Sequence, residues 1–305
     1  MSYEEAEKGF LRAGEVLAKA LSRAEEIVYE GALIQDICTK MEDMLRVHGC
    51  EPAFPTNVSV NSVAAHDTAS LSDPPTEIVR GAVVKLDAGA HYNGYVTDSA
   101  VTVSFNKSAQ PIVDASRESL NLAISKVKPG MAVGELGAVI EGKIRSYGVN
   151  PIYDLTGHTI ERYNLHAGVN VPNVSNKIGF KLVPGVAIAI EPFSTFGTGE
   201  ICDAEVGKIY RGIRKIRSPI RFDQRILEYA LGERKGLPFT DRWLASSGKK
   251  EEVVSSVRRL VRFGGLYEYK VLLEKSGGLV AQFEHTIFMS RDGPIVVTQR
   301  EEPNK

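Results

Sequence analysis

The chain has 305 residues, of which 43% are hydrophobic and 25% charged, with a formal net charge of -1. That length supports one large domain or two small ones, and that apolar fraction supports a buried core. The charge balance excludes a global pull toward nucleic acid or acidic membrane surfaces, and no stretch approaches the ~20 apolar residues of a membrane span.

From about Tyr3 to His48 the pattern predicts two helices. Phe10, Leu17 and Leu21 recur at helical spacing, and Gly31 and Gly49 supply stops. From about Phe54 to Phe105 the chain turns β-like. The runs Val83–Leu86 and Val101–Ser104 flank Asn93-Gly94, a hairpin signal because both turn residues need positive φ. Helices return from about Ala115 to Tyr147, and a second β-rich stretch covers about Asp154 to Phe193. An internal match at an offset of about 99 residues sets Gly31 on Gly130, Ile34 on Val133, Leu45 on Ile144 and Gly49 on Gly148. Any two amphipathic helices align to some degree; the sharper reading is a two-fold pseudosymmetric α+β domain whose sheet halves meet at a central site.

Between about Gly197 and Tyr269 the character changes. Lys208, Arg211, Arg214, Lys215, Arg217, Arg221 and Arg225 crowd together, and helical patterns follow around Phe222–Leu231 and Glu251–Phe263. Residues 197–270 therefore read as a compact helical insertion between two strands of a main domain formed by 1–196 and 271–305. Three widely spaced cysteines, Cys38, Cys50 and Cys202, make no C-x-x-C. They predict reduced thiols and a cytoplasmic location rather than a disulfide framework or zinc knuckle. The acidic N-terminus lacks the basic start and apolar core of a signal peptide.

The hairpin makes a geometric prediction. A two-residue turn pairs Tyr92 with Tyr95, so Asp87 faces Ala100 and becomes a diagonal neighbour of Asp98 on one face. Two carboxylates this close repel unless a cation lies between them. Both lie within strands, where Asp is disfavoured, which favours a site over a solvated pair. Glu191 ends the apolar run Val186–Ile190 and precedes Pro192, aimed at a strand end. Glu284 sits inside Val280–Phe288, sharing a face with Gln282 and Thr286, opposite Phe283 and Ile287. His158, His166 and His66 lie beside small residues that let a ligand approach. His48, His91 and His285 read as structural. Four oxygen ligands and one nitrogen suit Mn(II), Fe(II) or Co(II), with Zn(II) also compatible.

In order along the chain stand Ala53-Phe54-Pro55-Thr56-Asn57, Ala64-Ala65-His66, Leu86-Asp87-Ala88-Gly89 and Thr97-Asp98-Ser99-Ala100-Val101-Thr102. Leu155-Thr156-Gly157-His158, Leu165-His166-Ala167-Gly168, Ile190-Glu191-Pro192-Phe193 and Gln282-Phe283-Glu284-His285-Thr286 follow. Together these resemble type II methionine aminopeptidases of the short archaeal form. The resemblance implies the pita-bread fold: a curved, mainly antiparallel sheet with pseudo-two-fold symmetry, covered by helices. Leu237-Pro238-Phe239 and Arg242-Trp243-Leu244 resemble that family's helical insertion.

The resemblance implies two divalent metal ions (Co, Mn, Fe or Zn), bridged by Asp98 and Glu284. Asp87 would complete one site, and His158 with Glu191 the other. Glu191 would relay a proton, His166 would bind the substrate carbonyl or oxyanion, and His66 would contact the substrate nitrogen. Phe54 would form one wall of the methionine pocket, with Tyr269, Ile209 and Tyr210 forming the rest or its rim. The implied substrate is a nascent polypeptide or peptide with a free N-terminal methionine, the implied state a monomer. Ribosome association is a hypothesis resting on the basic stretch. The alternatives are a non-catalytic relative that binds RNA, ribosomes or protein, and a proline-specific aminopeptidase or prolidase.

Overall fold

The computed structural model describes residues 2–300. Two long helices, α1 (Tyr3–Leu21) and α3 (Ile34–Val47), flank the single turn α2 (Ala24–Ile27). The Ser2 side chain caps α1 by accepting from the Glu5 amide at 3.1 Å. Phe10, Leu17 and Leu21 are all buried, as their spacing predicts.

β1 (Glu51–Val60) leads through β2 (Val63–Ala65) to β3 (Val83–Tyr92) and β4 (Tyr95–Ser104), and a sheet forms in the order β1-β3-β4. The β3–β4 hairpin has the predicted register: Tyr92 pairs with Tyr95, Asp87 with Ala100 and Gly89 with Asp98. Asn93 (φ 53°) and Gly94 (φ 88°) supply the left-handed turn.

α4 (Gln110–Lys126) and α5 (Val133–Arg145) cover the second half. Its strands are β5 (Asn150–Pro151), β6 (Thr156–Ile160), β7 (Asn170–Pro172), β8 (Ala187–Ile190) and β9 (Phe193–Thr195). The 99-residue offset is visible in the backbone. α3 starts at Ile34 and α5 at Val133. Gly31 and Gly130, and then Gly49 and Gly148, are left-handed at both ends. The Gly31 amide donates to Ile78 O and the Gly130 amide to Leu182 O, which sets each helix against its loop in the same way.

Residues 197–270 are not helical throughout. They open with β10 (Ile201–Gly212) and close on β11 (Leu266–Glu274), which pair antiparallel; α6 (Arg221–Glu228) and α7 (Lys250–Arg262) lie between. Phe222, Ile226, Phe239, Val257 and Leu260 bury a separate apolar cluster there. The expected strand over Val280–Phe288 is also divided, into β12 (Val280–Gln282) and β13 (His285–Ser290), before β14 (Gly293–Val296). β13 pairs with β8 and β12 with β9, so the break at Phe283-Glu284 lies against the break at Glu191-Pro192. His285 pairs with Ile190 and Gln282 with Phe193; the same register sets Glu191 opposite Glu284. Pro192 cannot donate to a ladder, and the sheet bends where the two glutamates meet. No helix among the described residues is long and apolar enough to cross a membrane.

Candidate metal centre

The hairpin supplies Asp87 and Asp98, the bend supplies Glu191 and Glu284, and β6 supplies His158. All five line one cavity of about 290 Å³. Donor atoms of Asp98, His158 and Glu284 lie within 4.8 Å of one another. His158 Nε2 is 3.6 Å from both Asp98 Oδ2 and Glu191 Oε1.

Neighbouring elements hold these side chains. Asn57 Nδ2 donates to Asp87 Oδ2 at 3.2 Å, and Gln282 Nε2 to Glu284 Oε2 at 3.4 Å. Thr286 Oγ1 accepts from the Asp98 amide and donates to the Asp98 carbonyl, tying β4 to β13. Ser99 Oγ donates to Glu284 O at 2.6 Å, and Asn173 Nδ2 to Glu191 O at 3.0 Å. In the sequence Asn57 stood only as the end of the Ala53–Asn57 motif, while Gln282 and Thr286 were signalled by face-sharing with Glu284, opposite Phe283 and Ile287, which go to the core.

The electrostatics are those of a site built for cations. Burial, then Asp98, pushes Asp87 well above the ordinary carboxylate range. Burial raises Asp98 to about 7. Burial followed by the neighbouring carboxylates raises Glu191 and Glu284 well above theirs. Burial lowers His158 to about 4, so its imidazole is neutral at pH 7 and has a lone pair to offer. Asp87 Oδ1, Asp98 Oδ1 and Glu284 Oε1 are buried with no hydrogen-bond partner, an arrangement that costs roughly 1–3 kcal/mol per group when unmet. Among the described residues no lysine or arginine forms an ion pair with any of the four carboxylates. Hard oxygen donors with one imidazole match divalent cations. Such cations would displace the protons that the raised carboxyls retain.

The remaining predicted residues surround this cluster. The His166 ring centroid is 4.4 Å from that of His158, and His66 lies edge-on to Tyr269 at 5.6 Å. His66 Nδ1–H donates to Lys270 O at 3.3 Å, leaving Nε2 free of that proton. Its backbone is left-handed (φ 63°), a strained state for histidine. Phe54, Ile209 and Tyr269 line the cavity, joined by Leu165 and Pro238. Ile209 and Tyr269 are a cross-strand pair and share a face. Tyr210 does not join them. As the next residue on β10 it points the other way, packing against Phe239 and donating to Gly207 O. His48, His91 and His285 lie outside the cavity; His285 Nδ1 is 3.0 Å from Thr298 Oγ1.

The profile of metallopeptidase family M24 matches residues 8–289. A methionine aminopeptidase of Methanothermobacter thermautotrophicus is 39% identical over 295 residues, spanning 96% of this chain and 98% of that relative. Those of Pyrococcus abyssi (39% over 292 residues, 95% and 98% covered) and Saccharolobus solfataricus (38% over 295 residues, 95% and 96%) are similar to it as well. Among solved structures, a thermophilic Arx1 superposes with a TM-score of 0.82 at 18% identity, covering 100% of this chain and 93% of that one. Methionine aminopeptidase of Thermotoga maritima superposes with a TM-score of 0.69 at 24% identity, covering 99% and 98%. At those identities the structural likeness is one of fold.

Proposed function

We propose that this chain, which belongs to metallopeptidase family M24, removes the N-terminal methionine from peptides and nascent proteins as a methionyl aminopeptidase. Its fold is the pita-bread fold, and it binds divalent metal. The observation that carries the reading is the joining of two features in one cavity. Buried Asp98, Glu284 and a neutral His158, with half-buried Asp87 and Glu191, form the floor, and Asp87, Asp98 and Glu284 each keep an oxygen without a hydrogen-bond partner. Phe54, Leu165, Ile209, Pro238 and Tyr269 form an apolar wall beside them.

Two divalent ions would be held, with Asp98 and Glu284 shared, Asp87 on one side, and His158 with Glu191 on the other. Asp98 lies between Asp87 and the His158–Glu191 pair, which supports that division. When bound, such ions supply Lewis-acid polarisation of a carbonyl and lower the pKa of water. Glu191, a carboxylate once a cation has displaced its proton, would take up the proton of the attacking water and pass it on. His166, kept neutral by burial and by His158, donates to the oxygen that gains charge at the scissile carbonyl. His66 faces the substrate nitrogen. The apolar wall takes the unbranched thioether, which suits an adaptable slot. The free α-amino group binds toward Asp87, and this makes the reaction exopeptidic.

The test is release of free methionine from Met-Ala-Ser after chelation and re-addition of Mn(II) or Co(II), with an acetylated copy as control. Release that needs metal and a free amine is expected. No release from the folded, metal-loaded chain would overturn the reading.

We further take residues 197–270 as the type II subdomain, the chain as a cytoplasmic monomer, and the basic stretch as a contact for ribosomal RNA. The segment 197–270 contains 16 Lys and Arg against 10 Asp and Glu, while the whole chain is -1. Arg214, Lys215, Arg217, Arg221 and Arg225 are exposed. Binding to purified ribosomes should weaken steeply between 50 and 200 mM salt; salt-independent binding would discard the RNA contact.

A further inference from the structure

β1 carries two irregularities beside the cavity. Pro52 pairs with Ala90, Phe54 with Gly89 and Asn57 with Asp87, so the register slips by one residue before Phe54 and again after it. Residues 54 and 57 are an odd number apart and would point to opposite faces of a regular strand. The slips put both on the face of Asp87, Phe54 as cavity wall and Asn57 as partner of Asp87. Bulges re-aim side chains in this way next to active sites, but they leave backbone groups outside the ladder.

Buried charged groups from distant parts of the chain take up those backbone groups. Arg234 Nη2 reaches Pro52 O, Ala53 O and Pro238 O, each at 2.9 Å. Glu42 Oε1 accepts from the Thr56 amide at 3.2 Å. Trp243 links the two: the Arg234 guanidinium lies 4.9 Å from its ring centroid, and its Nε1–H donates to Glu42 Oε2 at 2.7 Å. Arg242 closes the Glu42 carboxylate at 2.6 and 3.0 Å. Phe54 is therefore bracketed by backbone contacts on both sides. Of the three carbonyls on Arg234, one precedes Phe54 directly and another belongs to Pro238, which also lines the cavity. On its far side the ring rests on Gly89, where a Cβ would come within 2.2 Å of Phe54 Cε1.

We propose that Arg234, seated on Trp243, is a specificity-determining positioning residue that sets the width of the side-chain pocket by fixing Phe54 and Pro238 relative to each other. It touches no reacting atom. It joins the insertion to β1, so that the backbone at two residues lining one pocket shares a single guanidinium. This rests on the aminopeptidase reading above.

The experiment compares metal-loaded Arg234→Met and Arg234→Lys with the unsubstituted chain on tripeptides beginning with Met or Leu. Methionine side chains fill the slot; branched leucine does not. With Arg234→Met the Met-over-Leu ratio of kcat/KM should fall about tenfold, the low end of what one methylene of fit contributes. KM for the Met peptide should rise more than kcat falls. Arg234→Lys, which keeps the charge but not the planar fork, should recover part of the ratio. A purely structural role would lower Tm and leave the ratio intact. Should Arg234→Met fail to fold, Trp243→Phe keeps the ring and removes the donor to Glu42; a shift of about threefold in the same direction is expected. A ratio within twofold of the unsubstituted chain, in a folded variant, overturns the inference. If the unsubstituted chain releases no methionine, the aminopeptidase reading fails first and this one falls with it.

Discussion

Asp98→Asn and Glu284→Gln are each expected to hold fewer than two Mn(II) ions per chain and to lose methionine release by more than about 100-fold, beyond the ~10–100-fold that outer-shell partners cost. Asp98 sits where the other donors converge: His158 Nε2 is 3.6 Å from its Oδ2, and its charge acts on Asp87, Glu191 and Glu284 alike. Glu284 faces Glu191 across the bend and lies within ligand distance of Asp98 and His158. A residue shared by two ions should take both with it, whereas Asp87→Asn should leave one. The amide substitutions also separate metal loss from misfolding. Asp98 is raised to about 7 by burial, so removing its charge relieves the metal-free protein rather than harming it. Its backbone bonds to Thr286 do not involve the carboxylate and survive. Metal-free Asp98→Asn should therefore melt no lower than the metal-free parent, yet gain less stability from Mn(II). Elemental analysis after equilibration with Mn(II) decides the point: two tightly bound ions in Asp98→Asn would refute the shared-ligand assignment.

Much of this centre was legible in the sequence because local chemistry fixes it. Asn93-Gly94 admits one hairpin register, and that register places Asp87 and Asp98 before any tertiary contact is known. Left-handed glycines at both ends of α3 and α5 made the 99-residue repeat readable as two copies of one helix entry. Glu191 was readable because Pro192 ends its strand. Glu284 was placed on the correct face although its strand is broken there, since alternation of Gln282, Glu284 and Thr286 against Phe283 and Ile287 persists across the break.

What escaped sequence reading depends on partners far along the chain. Pro52 and Pro55 mark β1 as an irregular strand, but nothing local says which groups satisfy its two register slips: they are Glu42 and Arg234, the latter some 180 residues away. β10 was hidden by its scattered charges, Asp203, Glu205, Lys208 and Arg211: a strand whose partner β11 lies some 60 residues on shows no clean alternation of its own. Tyr210 was misplaced for the same reason, since without the strand its alternation with Ile209 cannot be seen. Turn geometry and alternation thus carried the side chains that converge on the cavity, while the backbone around Phe54 depends on long-range hydrogen bonds.

His166→Ala should retain its full complement of metal and lose kcat by about 10²–10³-fold, the cost of one donor to a developing oxyanion. The separation follows from position. His166 stacks edge-on to His158 at 4.4 Å between centroids, yet it is not in the cluster of Asp98, His158 and Glu284 whose donor atoms converge. The residue is exposed as a whole, but its ring stands in the cavity mouth beside His158 and His66; desolvation there, then those two histidines, lowers its pKa, so at neutral pH it is an uncharged imidazole with one N–H to give. A neutral donor adds little to ground-state binding and more as the carbonyl oxygen gains charge, so kcat should fall further than KM rises. His166→Gln, which restores an N–H on a shorter arm, should recover part of the rate. A variant whose loss lay wholly in KM would make His166 a ground-state contact, and loss of an ion would make it a ligand. Either outcome would move the oxyanion donor elsewhere. Because the parent imidazole is already neutral well below pH 7, the His166→Ala profile of kcat against pH should keep the parent's shape between pH 6 and 8 and lie below it throughout.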